Sequence, residues 1–235
     1  MLEAILLEGA GVLGISLPSG ALPSFRAYHD YLYQQNALMD LTSVPPEDEA
    51  ARTHFLDSLA LLPHVPSGAT VLDVGSGAGF PGLPLRLANP ELRLTLLDAN
   101  GKRADFLRRL CPRCGAEDVS VLNGRAEELA LLSDFRETFD VAVSRAVARF
   151  SVLAELCLPF VRPGGIMLAM KAAGCEEEVR EAYRGVALLG GKVEDPVSYR
   201  LPGTNVNRVI VPVRKIGPTP AVYPRRFAKI KARPL

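Results

Sequence analysis

The sequence predicts an α/β fold, in which a doubly wound, seven-stranded mixed sheet carries helices on both faces and an N-terminal helical cap. Three observations favour this fold. Short apolar runs alternate with helical stretches from Thr70 onward, the pattern of parallel strands joined by crossover helices. Two further strand-like runs follow each other near the C-terminus, and residues before His64 show only helical periodicity. We therefore expect a cap at 1–64, an α/β domain at 65–215 and a basic tail at 216–235.

The first 64 residues are predicted to form helices. The opening MLEAILLEGAGVLGISL is apolar but contains Glu3 and Glu8 and lacks a basic n-region, so we interpret it as an amphipathic helix rather than a signal peptide. Two further helices each have an apolar stripe: Leu22, Phe25, Tyr28 and Leu32 in one, and Ala51, Phe55, Leu59 and Leu62 in the other. Because no run of 18 apolar residues occurs, we expect a cytoplasmic protein without a membrane span.

Five runs in the central part of the chain are apolar enough to form parallel strands buried on both faces. These runs are TVLDV, RLTLLD, VSVLN, DVAVS and GIMLAM, and helical connections begin near Gly79, Lys102, Ala126 and Phe150. A further helix, CEEEVREAYRGVALL, precedes the runs KVEDPVSYRL and NVNRVIVPVRK. The PGTN between these two runs favours an antiparallel hairpin at the end of the sheet.

Charge is distributed unevenly along the chain. The net charge is +1, but residues 1–64 contain two basic and eight acidic residues, which leaves about +7 on the remainder. The last 22 residues contain seven Arg or Lys and no acid. Such a tail suits a polyanion such as RNA, because its cations neutralise phosphates while Tyr223 and Phe227 can stack on bases. The alternative is a solvated, partly disordered tail.

Cys111 and Cys114 form a C-x-x-C pair, but a structural zinc site needs four ligands and the three histidines lie elsewhere in the sequence. We interpret the pair as two ordinary thiols at a helix C-terminus and expect no metal site.

The stretch VLDVGSGAGFPG contains GAGFPG, which matches the G-x-G-x-x-G of nicotinamide-binding loops. In those loops the first glycine of the motif follows the strand directly. Here the residue that follows the strand is Gly75, and the G-x-G-x-x-G match begins two residues later, at Gly77. The glycines nearest the strand are Gly75, Gly77 and Gly79, which form a different pattern. Asp73, near the end of the strand, has no role in the nicotinamide pattern but suits a cofactor with a positive amino-acid end. A second acid, Asp98, lies at the tip of the next strand, where its carboxylate can accept hydrogen bonds from a ribose diol.

Several motifs together cover nearly the whole chain after about residue 36. They are LTSV (41–44), HFLDSL (54–59), VLDVGSGAGFPGLPL, LLDANGKRADFLR, GRAEE (124–128), VSRAVA (143–148), AMK (169–171) and the tail TPAVYPRRFAKIKARPL. In this order they resemble the RsmG/GidB family of bacterial 16S ribosomal RNA guanine-N7 methyltransferases. One departure is Asp40, where an Asn is more usual. The resemblance implies an S-adenosylmethionine-dependent methyltransferase that modifies one guanine of 16S rRNA, alone or in the small ribosomal subunit particle.

The resemblance also implies the residues of the cofactor site. Together with Asp73, Gly77 and Gly79 of the glycine loop, the expected contacts are Gly75, Phe80, Asp98, Ala99, Asn100, Ala126, Glu127 and Arg145.

Guanine N7 carries a lone pair and no proton, so its methylation needs no general base, and catalysis can rest on positioning. We expect Arg145 and Lys171, which follow the fourth and fifth strands, to contact the guanine or a nearby phosphate. The alternative for Arg145 is an ion pair with Asp98 or Asp73.

His54 and Asp57 share a helix face and either close over the cofactor or form a surface pair. Lys102 and Arg103 are expected to be solvated or to face RNA.

Three other functions remain open from the sequence. A nicotinamide dehydrogenase is disfavoured by the glycine register. A non-catalytic rRNA-binding assembly factor would bind RNA but not the cofactor. A methyltransferase with another acceptor would share the fold, because a fold does not determine its substrate.

Overall fold

The structure is a computed structural model that describes residues 1–39, 45–145 and 148–235. Asp40, the LTSV motif, and Ala146 and Val147 of the VSRAVA motif lie outside the described residues.

A single mixed sheet forms the centre of the protein, as predicted. Its strands are β1 (Thr70–Val74), β2 (Arg93–Asp98), β3 (Ser120–Asn123), β4 (Phe139–Arg145), β5 (Val161–Ala172), β6 (Gly191–Val193), β7 (Val197–Arg200) and β8 (Asn207–Lys215). The order is β3-β2-β1-β4-β5-β8-β6, with β7 also paired to β8. Strands β1 to β5 run parallel, and β8 runs antiparallel to β5. The order reverses at β1, so the carboxyl ends of β1 and β4 border the crevice where such sheets bind ligands.

The edge of the sheet differs from the prediction in one respect. The single strand expected at KVEDPVSYRL is divided into β6 and β7, which both pair with β8. Val193 lies opposite Val213 and Val197 opposite Ile210, so the edge has one more residue than β8 across this interval. Pro196 falls within the interval and has no N–H to donate to the ladder, which explains the bulge.

Eleven α-helical segments occur in the described residues. They are α1 (Leu2–Val12), α2 (Ala21–Met39), α3 (Glu47–Ala50), α4 (Asp57–Leu59), α5 (Gly82–Ala88), α6 (Gly101–Arg113), α7 (Ala126–Leu129), α8 (Phe150–Cys157), α9 (Glu176–Glu181), α10 (Tyr183–Leu188) and α11 (Phe227–Ala232). Short 3₁₀ turns follow at Leu62–His64 and Leu158–Phe160. No helix of the described chain is long and apolar enough to cross a bilayer.

The second cap helix is less regular than its sequence predicts. Between α3 and α4 the backbone forms a π-helical segment, Ala51–Leu56. Such wider turns are rare and are frequent at functional sites. In this protein the segment lies beside the carboxyl end of β4.

Two apolar cores cover the two faces of the sheet. Successive residues of one strand face opposite sides of the sheet and belong to different cores. Val71 packs with the cap, α5 and α6, whereas Leu72 packs with α8, α9 and α10. The aromatic rings of Phe25, Tyr28 and Phe55 are almost fully buried and meet edge to face in the first core. The cap is therefore part of the main core on that face.

The basic tail packs against the second face. Arg225 forms an ion pair with Glu155 of α8, with Arg225 Nη2 2.6 Å from Glu155 Oε2, and the Glu155 side chain is fully buried. Ile230 of α11 is also fully buried. These contacts differ from the alternative of a solvated tail, because an anchored arginine and a core isoleucine hold α11 against the body of the protein.

Candidate active site at the carboxyl ends of the strands

The loop after β1 is hydrogen-bonded to the end of β2. Gly75 N–H donates to Leu97 O at 2.8 Å, and Leu97 N–H donates to Ser76 Oγ at 3.0 Å. Gly77 N–H donates to Asp98 Oδ2 at 2.9 Å. The structure therefore brings the glycine loop and the Asp98 carboxylate together, although they are about 20 residues apart in the sequence.

The loop adopts a backbone shape that requires glycine. Gly75, Gly77 and Gly79 have φ values of +78°, +57° and +106°. A Cβ on Gly79 would lie 2.6 Å from the hydroxyl oxygen of Tyr28. That hydroxyl donates to Ala78 O at 2.7 Å, so a cap residue packs directly on the loop.

Asp73 is fully buried at the end of β1. Its Oδ2 accepts a hydrogen bond from Gly82 N–H at 2.8 Å, whereas its Oδ1 has no hydrogen-bond partner among the described residues. Burial raises the pKa of Asp73 to about 7. A buried carboxylate oxygen without a partner is costly, and this atom retains the capacity to accept a hydrogen bond.

The tip of β2 presents a second set of polar groups. Asp98 is 5 % exposed, and its Oδ1 accepts from Asn100 N–H at 2.8 Å. The Asn100 side chain in turn accepts from Lys102 N–H and caps the start of α6. Ala99, Asn100 and Lys102 are exposed on this rim, and Arg103 is half-buried.

The end of β3 completes this side of the rim. Ala126 opens α7, and the next residue, Glu127, is 7 % exposed. Arg125 precedes them and is exposed, with its guanidinium carbon 5.7 Å from the ring centre of Phe227 in the tail. The start of α11 therefore lies close to Ala126 and Glu127, two of the predicted cofactor contacts.

Phe80 lies between the loop and the cap. Its ring stacks on Tyr28 with ring centres 5.1 Å apart, and His54 lies 5.0 Å away on another side. The guanidinium carbon of Arg145 is 5.0 Å from the same ring centre. Phe80 is 6 % exposed, so most of its surface contacts the protein itself.

Arg145 ends β4 and points to the cap. Its Nη1 donates to Asp57 Oδ2 at 3.0 Å and to Thr53 O at 3.0 Å, with His54 O at 3.4 Å. The two carbonyls belong to the π-helical segment, and His54 O also accepts from the Ser58 hydroxyl at 2.6 Å. The expectation that an acidic partner of Arg145 would be Asp98 or Asp73 is wrong, since Asp57 takes that role.

Asp57 is buried, with 4 % of its side chain exposed, so the alternative of a surface pair with His54 is wrong. Its Oδ1 accepts a hydrogen bond from the Tyr199 hydroxyl at 2.9 Å and lies 3.5 Å from Arg208 Nε. Burial and the neighbouring Asp57 carboxylate raise the pKa of Tyr199, which keeps the phenol protonated as a donor.

Lys171 lies near the end of β5 and is largely buried. Its Nζ is 2.8 Å from Glu178 Oε1, an oxygen that also accepts from Phe150 N–H at the start of α8. Lys171 is therefore held in place by a carboxylate from α9.

A cavity of about 910 Å³ opens beside these groups. Its walls come from the cap, the ends of β4 and β5 and the start of β8, and two of its lining residues, His54 and Arg145, contact Phe80, which follows the glycine loop. The lining residues are Pro45, Glu49, Thr53, His54, Asp57, Arg145, Ala148, Leu153, Met170, Lys171, Ala172, Ala173, Gly174, Cys175, Glu178 and Arg208. The volume is in the range of ligand pockets in proteins.

The four cysteines are buried and unbonded, and burial raises the pKa of both Cys111 and Cys114 to about 12. Within the described ranges, no three His, Cys, Asp or Glu side chains group as metal ligands.

Sequence reasoning did not identify Tyr199, Arg208 or Glu178 as site residues. Tyr199 and Arg208 belong to the edge hairpin, where they lie directly opposite each other on β7 and β8. No motif marks them, because their role arises only when the hairpin meets the cap.

Relatives of known name share this chain's sequence over almost its full length. A family model described as GidB, rRNA small subunit methyltransferase G, matches residues 21–205. The "Ribosomal RNA small subunit methyltransferase G" of Lachnoclostridium phytofermentans is 42% identical over 235 residues, which cover 99% of this chain and 97% of that protein. The protein of the same name from Acetivibrio thermocellus is 39% identical and is covered to 97%.

Solved structures with low sequence identity share the fold. An O-methyltransferase from Bacillus cereus, in complex with SAH, aligns with a TM-score of 0.58 at 19% identity, covering 92% of this chain and 100% of that one. A methyltransferase from Pyrococcus furiosus aligns with a TM-score of 0.55 at 17% identity, covering 82% and 98%. The fold is thus that of the methyltransferases, and the extent of the sequence matches shows that the chain belongs to the GidB family, rRNA small subunit methyltransferase G.

Proposed function

We propose that this protein transfers a methyl group from S-adenosylmethionine to N7 of a guanine in 16S rRNA, in the cytoplasm. The observation that carries the proposal is a glycine loop with two acids, Asp73 and Asp98, which Phe80 connects to Arg145 in a cavity that also contains Lys171. The family and the names of its members support an rRNA acceptor.

The residues of the rim fit this cofactor, which supplies an electrophilic methyl group on a positively charged sulfur. The unpartnered Oδ1 of Asp73 suits the cationic amino-acid end. Asp98 suits the ribose diol, because each of its oxygens accepts one hydrogen bond in the structure and retains a second lone pair. The groups that would surround the remainder are Gly75, Gly77, Gly79, Phe80, Ala99, Asn100, Ala126 and Glu127.

The cavity suits a flipped or unpaired guanine. N7 already has its nucleophilic lone pair, so the chain's task is to hold the base in line with the methyl group and to exclude water. An arginine or lysine can donate to guanine O6, next to N7, or to a flanking phosphate. Among the described residues, the hydrogen bonds of Arg145 all use Nη1, which leaves the rest of its guanidinium fork for such a contact.

The anchored tail gives a surface for the RNA backbone. Arg226, Lys229, Lys231 and Arg233 are all exposed. Because α11 begins beside Arg125 at the rim, cations on it would meet phosphates close to the target base. The proposed partner is 16S rRNA, free or in the small subunit particle.

The test is transfer of labelled methyl from S-adenosylmethionine to purified small-subunit particles and to naked 16S rRNA, followed by nucleoside analysis. We expect label in 7-methylguanosine, and the better substrate identifies the stage of assembly at which the enzyme acts. Label in another nucleoside would contradict the N7 assignment. Cofactor binding without label would require another acceptor. RNA binding without cofactor affinity would support the assembly factor.

The same assay tests the two expected catalytic residues. Arg145→Ala and Lys171→Ala proteins should both lose most of their kcat, because each removes a cation from the cavity. An Arg145→Ala protein with wild-type kcat and KM would remove Arg145 from the site, and the same result for Lys171→Ala would remove Lys171.

A further inference from the structure

We propose that Tyr199 and Arg208 of the edge hairpin act through Asp57 to position Arg145, so that the hairpin is part of the active site. This inference rests on the proposed function, because it assigns a role in methyl transfer. Tyr199 and Arg208 are positioning residues in this scheme.

The two oxygens of Asp57 divide their partners between the two sides of the site. Oδ2 accepts from Arg145 Nη1 at 3.0 Å, and Oδ1 accepts from the Tyr199 hydroxyl at 2.9 Å. Arg208 Nε lies 3.5 Å from Oδ1. The carboxylate thus joins the end of β4 to a cross-strand pair on β7 and β8.

Because Asp57 is buried, its hydrogen-bond donors determine how its carboxylate is oriented towards Arg145. The side chain of Asp57 is 4 % exposed and that of Arg145 is 15 % exposed, so water screens the pair weakly. Burying a carboxylate is costly unless it is hydrogen-bonded, so its orientation follows its donors. Tyr199 and Arg208 hold Oδ1, which leaves Oδ2 aimed at Arg145.

Arg145 has few other partners of comparable strength. Its other acceptors in the described part of the chain are the carbonyls of Thr53 and His54 at 3.0 and 3.4 Å, which are neutral. A hydrogen bond to an ionised acceptor is stronger than one to a neutral acceptor. Without Asp57 the guanidinium would lose its charged anchor and sample other orientations over Phe80 and the cavity.

Tyr199 is the residue that distinguishes a positioning role from direct contact with the substrate. Asp57, Arg145 and Arg208 line the cavity, whereas Tyr199 is not among the lining residues. Its hydroxyl therefore influences the site through the Asp57 carboxylate. Removing that hydroxyl changes one hydrogen bond and leaves the cavity wall intact.

The experiment measures kcat and KM for RNA, the cofactor dissociation constant and the melting temperature of the full-length protein. The variants are Tyr199→Phe, Asp57→Asn and Asp57→Glu. The matched control is Asp140→Asn, which removes a carboxylate paired to Arg162 at the opposite end of β4, with Arg162 Nε 2.6 Å from Asp140 Oδ1. A positioning role predicts loss of kcat without loss of cofactor binding, while a purely structural role predicts parallel losses.

We expect Tyr199→Phe to lower kcat roughly tenfold, the effect of one hydrogen bond to a charged group, with the cofactor dissociation constant unchanged. Asp57→Asn should lower kcat roughly a hundredfold, and Asp57→Glu should restore part of the loss. Asp140→Asn should lower the melting temperature and leave kcat unchanged.

Wild-type kcat in a folded Tyr199→Phe protein would overturn the inference, as would a loss of kcat matched by equal losses of cofactor affinity and melting temperature. If Asp57→Asn does not fold, Tyr199→Phe decides alone. Absence of methyl transfer by the wild-type protein would instead refute the proposed function, and the inference with it. Transfer by the wild type with unaffected variants refutes only the inference.

Discussion

At the scale of single residues, the environment of Asp73 couples ligand binding to protonation. The carboxyl group is fully buried, and desolvation raises its pKa to about 7. This value lies above the ordinary 3.8, so between about pH 4 and pH 7 the folded protein holds a proton that the unfolded chain has lost. The contribution of Asp73 to the free energy of unfolding therefore decreases as pH rises through this window.

A cationic ligand reverses this preference, because it favours the ionised form of Asp73. We predict that affinity for S-adenosylmethionine increases between pH 6 and pH 8 and that binding releases a proton near neutral pH. Calorimetric titration in two buffers of different ionisation enthalpy measures both quantities.

The control for this prediction is the Asp73→Asn protein, which removes the titrating group. It should bind the cofactor more weakly, and only the titration of the ligand's own amino group should remain in its pH profile. An identical pH profile for the wild-type and Asp73→Asn proteins would contradict the assignment.

Gly79 gives a second prediction at this scale. A Gly79→Ala substitution places a Cβ at φ +106° and 2.6 Å from the Tyr28 hydroxyl, so it strains the backbone and displaces a cap residue. We expect a loss of about 1–3 kcal/mol in the free energy of unfolding and weaker cofactor binding. Denaturant titration and calorimetry measure the two effects, and Gly20→Ala, at another positive φ with no atom near, provides a strain-only control. Equal cofactor affinity in both variants would contradict a role of the loop in binding.

Site residues could be predicted from the sequence only where their contact partners lie nearby in the sequence. Asp73, Asp98 and the glycines could be predicted because they belong to one strand-loop-strand unit. Asp57 could not be assigned its role, since it meets Arg145 at a separation of 88 residues and Tyr199 at 142. The contacts of such a residue depend on how the cap and the hairpin pack, and no local pattern encodes that.

At the scale of elements, the tail combines an anchor with an exposed basic face. The anchor consists of Arg225 on buried Glu155 and of Arg136, whose guanidinium donates to Tyr223 O at 3.0 Å and Thr219 O at 2.7 Å. A deletion after Pro218 therefore removes structural contacts as well as cations. Substitutions are a sharper test of RNA binding.

We predict that the double substitution Lys229→Ala and Lys231→Ala weakens binding to 16S rRNA and lowers the salt slope of log K by about 2, because each lysine neutralises roughly one phosphate. Both side chains are exposed, so the melting temperature should not change. Filter binding at several salt concentrations measures the slope. The control is Arg93→Ala, which removes an exposed cation at the end of β2 opposite to Asp98. An equal effect of both variants on RNA binding would refute a specific role of the tail.

Glu155→Gln tests the anchor separately. It leaves Arg225 without its buried counter-ion, and we expect a loss of about 3–5 kcal/mol in the free energy of unfolding. Denaturant titration measures this, and a change below 1 kcal/mol would contradict an anchoring role.

The parallel strands were predictable because they are short apolar runs that begin after turn residues. The departures lie where backbone hydrogen bonding changes within an element. CEEEVREAYRGVALL was expected to form one helix but forms α9 and α10, separated at Ala182, and the cap helix contains the π-helical segment. Both segments keep the apolar spacing of a helix, so the sequence pattern does not reveal the break.

At the scale of the whole molecule, the cap and the sheet share one core. Leu2 and Leu6 of α1 are fully buried together with Leu83 of α5 and Phe106 of α6. The division of the chain into a cap and an α/β domain at residue 64 stays a prediction. The shared core predicts that these two parts do not fold independently of each other.

We predict that a fragment of residues 65–235 is insoluble or unfolds with low cooperativity, because the face covered by the cap becomes exposed. The full chain should unfold in one transition by both circular dichroism and Tyr fluorescence. A soluble, cooperatively folded fragment would show instead that the cap is an independent unit.

The strand order also determines the sequence in which the fold can be completed during synthesis. β8 lies between β5 and the edge strands β6 and β7, yet it is translated after all three. Until β8 has been made, the nascent chain exposes the unpaired edge of β5, a strand edge that chaperones can recognise. Tyr199 and Arg208 reach Asp57 only once the hairpin has formed, and Glu155 receives Arg225 later still. The contacts that hold Arg145 are therefore completed after the parallel strands have been made.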